Sequence, residues 1–220
     1  MWRIASKIIS FIFHPLFALI YILGFLILLN PMLLAHFTPE GKVIFLVYFV
    51  VNTVLIPVIA IVLMKMLGLI ASLQMETTRD RIGPMIVVFI LYMWMFINFK
   101  KEPDIPLILV NIMLGTVLST AIAFIINVVN KISLHMTGMG GLLAALVIIF
   151  FHQQTRLLIL SLTTETAFSV HMVLVIIFVL ILTGMVASSR LFLKAHRPVE
   201  LLQGFILGFM AQFVAYWIIF

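Results

Sequence analysis

A chain of 220 residues in which 65% of side chains are apolar and 9% charged, with a mean hydropathy of +1.34, is not a water-soluble globule, whose usual make-up is roughly 45–50% apolar and about 25% charged. Thirteen basic and seven acidic side chains are too few to cover its surface, so most apolar surface must face lipid. The absence of cysteine excludes disulfides, thiolate metal ligands and a cysteine nucleophile. The net charge of +6 suits anionic headgroups or phosphates, and no basic stripe with interleaved aromatics marks a nucleic-acid surface.

In hydrocarbon every backbone polar group must be paired internally, which leaves helices or a closed barrel. Runs such as 105–129 lack the two-residue alternation of barrel strands, so the sequence predicts one all-α transmembrane bundle over 1–220. Residues 1–7 followed by an apolar run have no small-residue cleavage site and are read as the start of the first span. In chain order the spans are expected at 8–34, 43–69, 85–99, 105–129, 139–161, 168–187 and 199–220. The third is short for a crossing, and the fifth is interrupted by His152, Gln153, Gln154 and Arg156 and ends at Phe151 if these stay in water. Seven spans is the count, six the alternative.

Three polar segments, 76–84, 130–138 and 188–200, are separated pairwise by two spans and therefore share one membrane face; 35–42, 100–104 and 152–167 fall on the other. Nine Lys and Arg lie with the first set and four with the second, which by the positive-inside rule puts the first face in the cytoplasm. Setting aside Arg79, Arg81, Lys131 and Arg190 as substrate groups leaves five against four, so the face stays open between cytoplasm and periplasm. A bacterial inner membrane is the expected setting.

The strongest chemical signal is Ser189-Arg190, five residues, His196, three residues, Glu200. With Pro198 suited to a first helical turn, Glu200 can reach back to the imidazole, and a carboxylate on one ring nitrogen makes the other a better nucleophile. Arg190 offers a planar fork for phosphate oxygens. The plain alternative is a snorkelling basic loop with an ordinary helical ion pair. The second signal runs from Lys131 through Ser133, His135 and Gly138 to Gly140 and Gly141. A glycine-rich helix entrance presents N–H groups to an anion, with Lys131 and Ser133 as further donors and His135 as a general acid; its plain reading is a capped loop. Gly204 and Gly208 are equally suited to close helix packing. His14, His36, His152 and His171 share no motif and are read as interfacial or packing residues.

Together these residues resemble the type 2 phosphatidic acid phosphatase (PAP2) superfamily of lipid and isoprenoid diphosphate phosphatases, over residues 76–210, with the two spans at 8–69 as extras. The family's last motif, Ser-Arg, five residues, His, three residues, Asp, is met by Ser189, Arg190 and His196 with Glu200 for Asp. Its middle motif, Pro-Ser-Gly-His, keeps Ser133 and His135 and has Ile132 and Leu134 for Pro and Gly. Its first motif, Lys, six residues, Arg-Pro, aligns on Pro84 and has Glu76 and Gly83 for Lys and Arg, with Arg79 and Arg81 close by. The resemblance implies a lipid phosphatase: His196 attacks phosphorus, Glu200 orients it, and His135 protonates the leaving group. Arg190, Ser189, Lys131, Ser133 and Gly138, with Arg79 and Arg81, would hold the phosphoryl oxygens. No cofactor or metal is expected, since fixed cations and helix N-termini can stabilise the transition state; the expected partners are a phospholipid or isoprenoid phosphate substrate and membrane lipids. Alternatives are a catalytically silent relative that binds lipid or a partner protein, a transporter, and a haem or metal protein using His135 and His196.

Overall fold

The computed structural model describes residues 2–29, 34, 37–75, 77–152, 157–161 and 167–220. Glu76, His36, Gln153, Gln154 and Arg156, all named above, lie outside the described residues. Among the described residues seven stretches are long and apolar enough to cross a membrane, and the chain is an all-α polytopic bundle.

The first stretch, Trp2–Leu28, is broken. Helix α1 (Trp2–Ile12) ends before His14, a short 3₁₀ turn covers Pro15–Phe17, and α2 (Ala18–Leu29) continues. Pro15 lacks an N–H and pushes the residue before it out of the helical region; His14 accordingly has φ −65° and ψ 139°. The second stretch joins α3 (Pro39–Val50) and α4 (Ile56–Met66) through a π-turn at Val51–Leu55. Pro57 cannot donate to the Thr53 carbonyl four residues back, and the Tyr92 hydroxyl takes that carbonyl instead at 3.3 Å.

Helix α5 (Thr78–Lys101) has 24 residues, so the third span is neither short nor half-buried. Its polar first turn is helical because the Thr77 hydroxyl accepts from Asp80 N–H at 3.1 Å. After α6 (Leu107–Val129), α7 (Leu134–His152) starts within the expected 130–138 loop, its first turn closed by the Ser133 carbonyl accepting from Thr137 N–H at 3.0 Å. Where helix was expected to 161 and from 168, two strands, β1 (Leu157–Ser161) and β2 (Ala167–His171), pair antiparallel with Leu157 opposite His171. Helix α8 (Met172–Phe192) then runs past 187, so Ser189 and Arg190 sit in its last turn rather than in a loop, and α9 (Pro198–Ile219) closes the chain.

Helices α6, α7 and α9 form the centre, with α5 against α6, α2 and α8 against α7, and α1 against α8. Ala144, Ala145, Leu146 and Ile149 of α7 and Leu109, Ile112 and Met113 of α6 are buried there, while Trp217, Ile177 and Val129 face outward. Glycines let α7 and α9 approach backbone to backbone. A Cβ on Gly140 would collide with the Phe205 carbonyl, on Gly204 with the Ser133 carbonyl, and on Gly208 with the Thr137 carbonyl. Gly208→Ala is therefore expected to cost about 1–3 kcal/mol by overpacking. Gly184→Ala, with nothing within 4 Å, should leave stability unchanged or slightly raised. Thermal denaturation in detergent compares the two.

Candidate active site

The turn between α8 and α9 is short because the end of α8 reverses the chain. Leu193 N–H donates to the Ser189 carbonyl and Ala195 N–H reaches back to the Arg190 carbonyl, both at 3.0 Å. Lys194 between them adopts a left-handed conformation at φ 53°, a cap usually made by glycine. Pro198 then opens α9. His196 stands in this turn and Glu200 in the first turn of α9, where its charge suits the helix N-terminus.

The His196 Nδ1 lies 2.7 Å from Glu200 Oε2. A carboxylate only accepts, so Nδ1 carries the proton and Nε2 holds the lone pair. Nε2 makes no hydrogen bond to any described residue. The His196 side chain is 2% exposed, and this desolvation pushes its pKa down to about 4; the bond to Glu200 opposes the shift, while Arg81, Arg190 and Lys131 add to it.

The segment before α7 is fastened to its neighbours through carbonyls. Arg81 donates from Nη1 to Ile132 O at 2.9 Å and from Nε to Met75 O at 2.8 Å. Lys131 Nζ donates to Ala195 O at 2.9 Å, and Ser133 N–H to Glu200 O at 3.3 Å. These contacts bring the three polar segments of the sequence together in space.

They surround a cavity of about 170 Å³. His14, Arg81, His135, Gly138, Arg190 and His196 line it, and no described Asp or Glu does. Arg190 Nε is buried without a partner among the described residues, a donor that a bound acceptor would satisfy. The cavity continues along the helices to Leu19, Ile22, Val88, Tyr92, Leu142 and Gln212. From Arg81 to Tyr92 on α5 this is eleven residues, about 16 Å of helix at about 1.5 Å rise each. A polar, cationic part and a long, largely apolar part therefore belong to one space.

The predicted site residues divide. Arg81, Gly138, His135, Arg190 and His196 line the cavity, and Glu200 acts on it through His196. Lys131 is half-buried beside it. Three do not reach it. Arg79 is exposed, two residues from Arg81 and on a different side of α5. Ser133 is fully buried, with its hydroxyl accepting from Met136 N–H at 3.4 Å as a helix cap. Ser189 is buried and closes the end of α8 through its carbonyl. His135 Nε2 lies 3.0 Å from the Ser10 carbonyl of α1, so it carries a proton and leaves Nδ1 for chemistry. His152 packs on Phe220 and bonds the Tyr216 hydroxyl at 3.0 Å. His14, in contrast, joins the cavity, with its ring 5.5 Å from that of His135. The signal that could have found it is Pro15, which interrupts an apolar run. The N-terminal spans, outside the motif-bearing region, thus supply part of the cavity wall, through His14, Leu19, Ile22 and Ile61. Among the described residues no three His, Asp or Glu side chains group as a metal site.

This chain matches no protein family, no curated protein and no solved structure, so the site is read from its own geometry.

A base whose folded pKa is depressed loses stability as pH falls. Above its ordinary value of 6.5 the His196 ring is neutral in both states; between 6.5 and about 4 the unfolded chain takes up a proton that the folded chain refuses. Its contribution is therefore complete above pH 6.5 and declines towards pH 4. Melting temperatures of native protein should fall across this window more steeply than those of His196→Phe, and in a histidine NMR titration the ring whose signal His196→Phe removes should protonate near pH 4.

Proposed function

We propose that this protein is a membrane-embedded lipid phosphatase that removes a phosphate or diphosphate headgroup through a phosphohistidine. The observation that carries the reading is the 2.7 Å contact of His196 Nδ1 with Glu200, which leaves an unprotonated Nε2 in a cavity shared with Arg81, Arg190 and His135. The sequence resemblance to the PAP2 superfamily in Ser189-Arg190, His196 and Glu200 points the same way.

In the proposed reaction, Nε2 attacks phosphorus, the bond from phosphorus to the leaving oxygen breaks, and a proton carried in on the phosphoryl group passes by way of the His135 Nδ1 lone pair to that oxygen. Arg190 and Arg81 offset the charge on the phosphoryl oxygens. As phosphorus bonds to Nε2 the ring becomes cationic, and Glu200 stabilises it. Water then attacks phosphorus, the P–N bond breaks, and phosphate leaves. The apolar depth of the cavity supports a substrate whose tail stays among helices.

A silent lipid-binding relative is favoured by one observation: the Ser133 hydroxyl is spent on a helix cap instead of an anion. Phosphate release from phosphatidic acid, phosphatidylglycerophosphate and an isoprenoid diphosphate separates the two readings. Native protein should turn over at least one, His196→Ala none, and Glu200→Gln about 10²–10⁴-fold less than native. Arg190→Lys should also lose activity, because a point charge does not replace a planar fork. Lack of turnover by native protein on every substrate, with binding retained, would establish the silent reading.

A further inference from the structure

Residues 2–28 could have crossed as one unbroken helix; the break at His14 and Pro15 takes backbone groups out of the helical ladder inside an apolar stretch, and side chains pair several of them, the Tyr21 hydroxyl donating to the Ile12 carbonyl at 2.6 Å and Leu16 N–H to His14 Nδ1. Such breaks are tolerated where they border a cavity or buried protein, and here the break borders the cationic cavity. Its chemistry is set by the turn itself. His14 Nδ1 accepts from Leu16 N–H at 3.4 Å as the cap of the 3₁₀ turn. A nitrogen that accepts holds a lone pair, so the ring proton is on Nε2 and His14 is a neutral donor. Nε2 has no hydrogen-bond partner among the described residues. Its neighbour His135 is held from the other direction, by the Ser10 carbonyl. The two rings meet edge to face at 5.5 Å.

We propose that His14 is a phosphate-binding residue that donates its Nε2–H to an oxygen of the bound phosphoryl group, completing from the N-terminal segment a site otherwise built by α5, α7, α8 and the turn before α9. The proposal rests on the reading of the cavity as a phosphate site. Capping alone does not account for a histidine, since Asn, Asp and Ser cap turns better; the longer imidazole caps with Nδ1 and still carries a second, donating nitrogen beyond the cap. A neutral donor also adds a hydrogen bond to the anion without adding to the repulsion between Arg81 and Arg190.

The test uses full-length protein in detergent with ¹⁵N-labelled histidine, titrated first with inorganic phosphate and then with phosphatidic acid in mixed micelles. The His14 Nε2 resonance, assigned by its loss in His14→Asn, should move on binding. Movement with inorganic phosphate alone means the anion suffices; movement only with phosphatidic acid means the tail must enter too. Both support the proposal. His14→Asn keeps an acceptor for Leu16 N–H and should weaken phosphate binding about 10–100-fold, the effect of one hydrogen bond to a charged group; His14→Phe keeps the ring volume and should weaken it equally. If either variant does not fold, the resonance shift in native protein decides. Phosphate bound by native protein with the His14 resonance unmoved, or bound by both variants within about twofold of native, overturns the role of His14 and leaves the phosphatase reading intact. Native protein that binds phosphate through His14 but releases none from any substrate refutes the phosphatase reading and leaves His14 in place. Native protein that binds neither ligand overturns both.

Discussion

The cavity between the start of α7 and the start of α9 is set by a seam in which two backbones touch. Lipid tails are as apolar as leucine, so helices inside a bilayer gain little from excluding water and rely on close packing. Gly140, Gly204 and Gly208 provide it by leaving room for the carbonyls of Phe205, Ser133 and Thr137. Because the Ser133 carbonyl rests on Gly204 and the Ser133 N–H bonds the Glu200 carbonyl, the start of α7 and the start of α9 are locked in register. His135 at one end and the His196–Glu200 pair at the other are held to a shared cavity by that lock, and Arg81 and Lys131 fasten the segment between them to α5 and to the turn after α8.

The same arrangement gathers cations where water is scarce. Arg81 and Arg190 line the cavity with no acidic side chain in its described lining, Glu200 acting on Arg81 from outside that lining, and one donor of Arg190 has no partner among the described residues. Charge of one sign in a poorly solvated space is costly until a counter-charge enters. Two residues at the margins of the site, Met75 and Lys194, hold left-handed backbone that side chains other than glycine seldom adopt. Met75 thereby offers its carbonyl to Arg81, and Lys194 turns the chain so that His196 follows within two residues. Local strain of this kind persists only where the surrounding contacts over-determine it.

Much of the fold was legible because a bilayer imposes a length on every apolar run. The boundaries were less so, since polarity and helicity part company at capped ends: Thr78, Asp80 and Arg81 are polar and helical, and so is His135. The hairpin was invisible because Leu157–Ser161 is as apolar as the helix before it. At the site, spacing revealed His196 and Glu200, whose contact is local to one helical turn. It did not separate Arg81 from Arg79, because residues two apart on a helix point about 200° apart, to nearly opposite sides, and only packing decides which is inside. Nor did it separate the Ser133 hydroxyl as anion donor from the same hydroxyl as cap. His14 lay 67 residues from Arg81 and more than a hundred from His135, Arg190 and His196, and only a tertiary contact could bring it to them.

The π-turn in the second span sets the angular phase of all that follows it. One surplus residue within a helix rotates the downstream face by about 100°. Ile61 of α4 reaches the cavity wall only because Val51–Leu55 contains that surplus, and the Tyr92 hydroxyl pins it by occupying the carbonyl that Pro57 releases. A one-residue deletion there would shorten the span by a single residue and barely change its hydropathy while turning Ile61 towards lipid. The width of the cavity alongside α4 is thus governed by residue count within five positions, a property that composition along the span does not record.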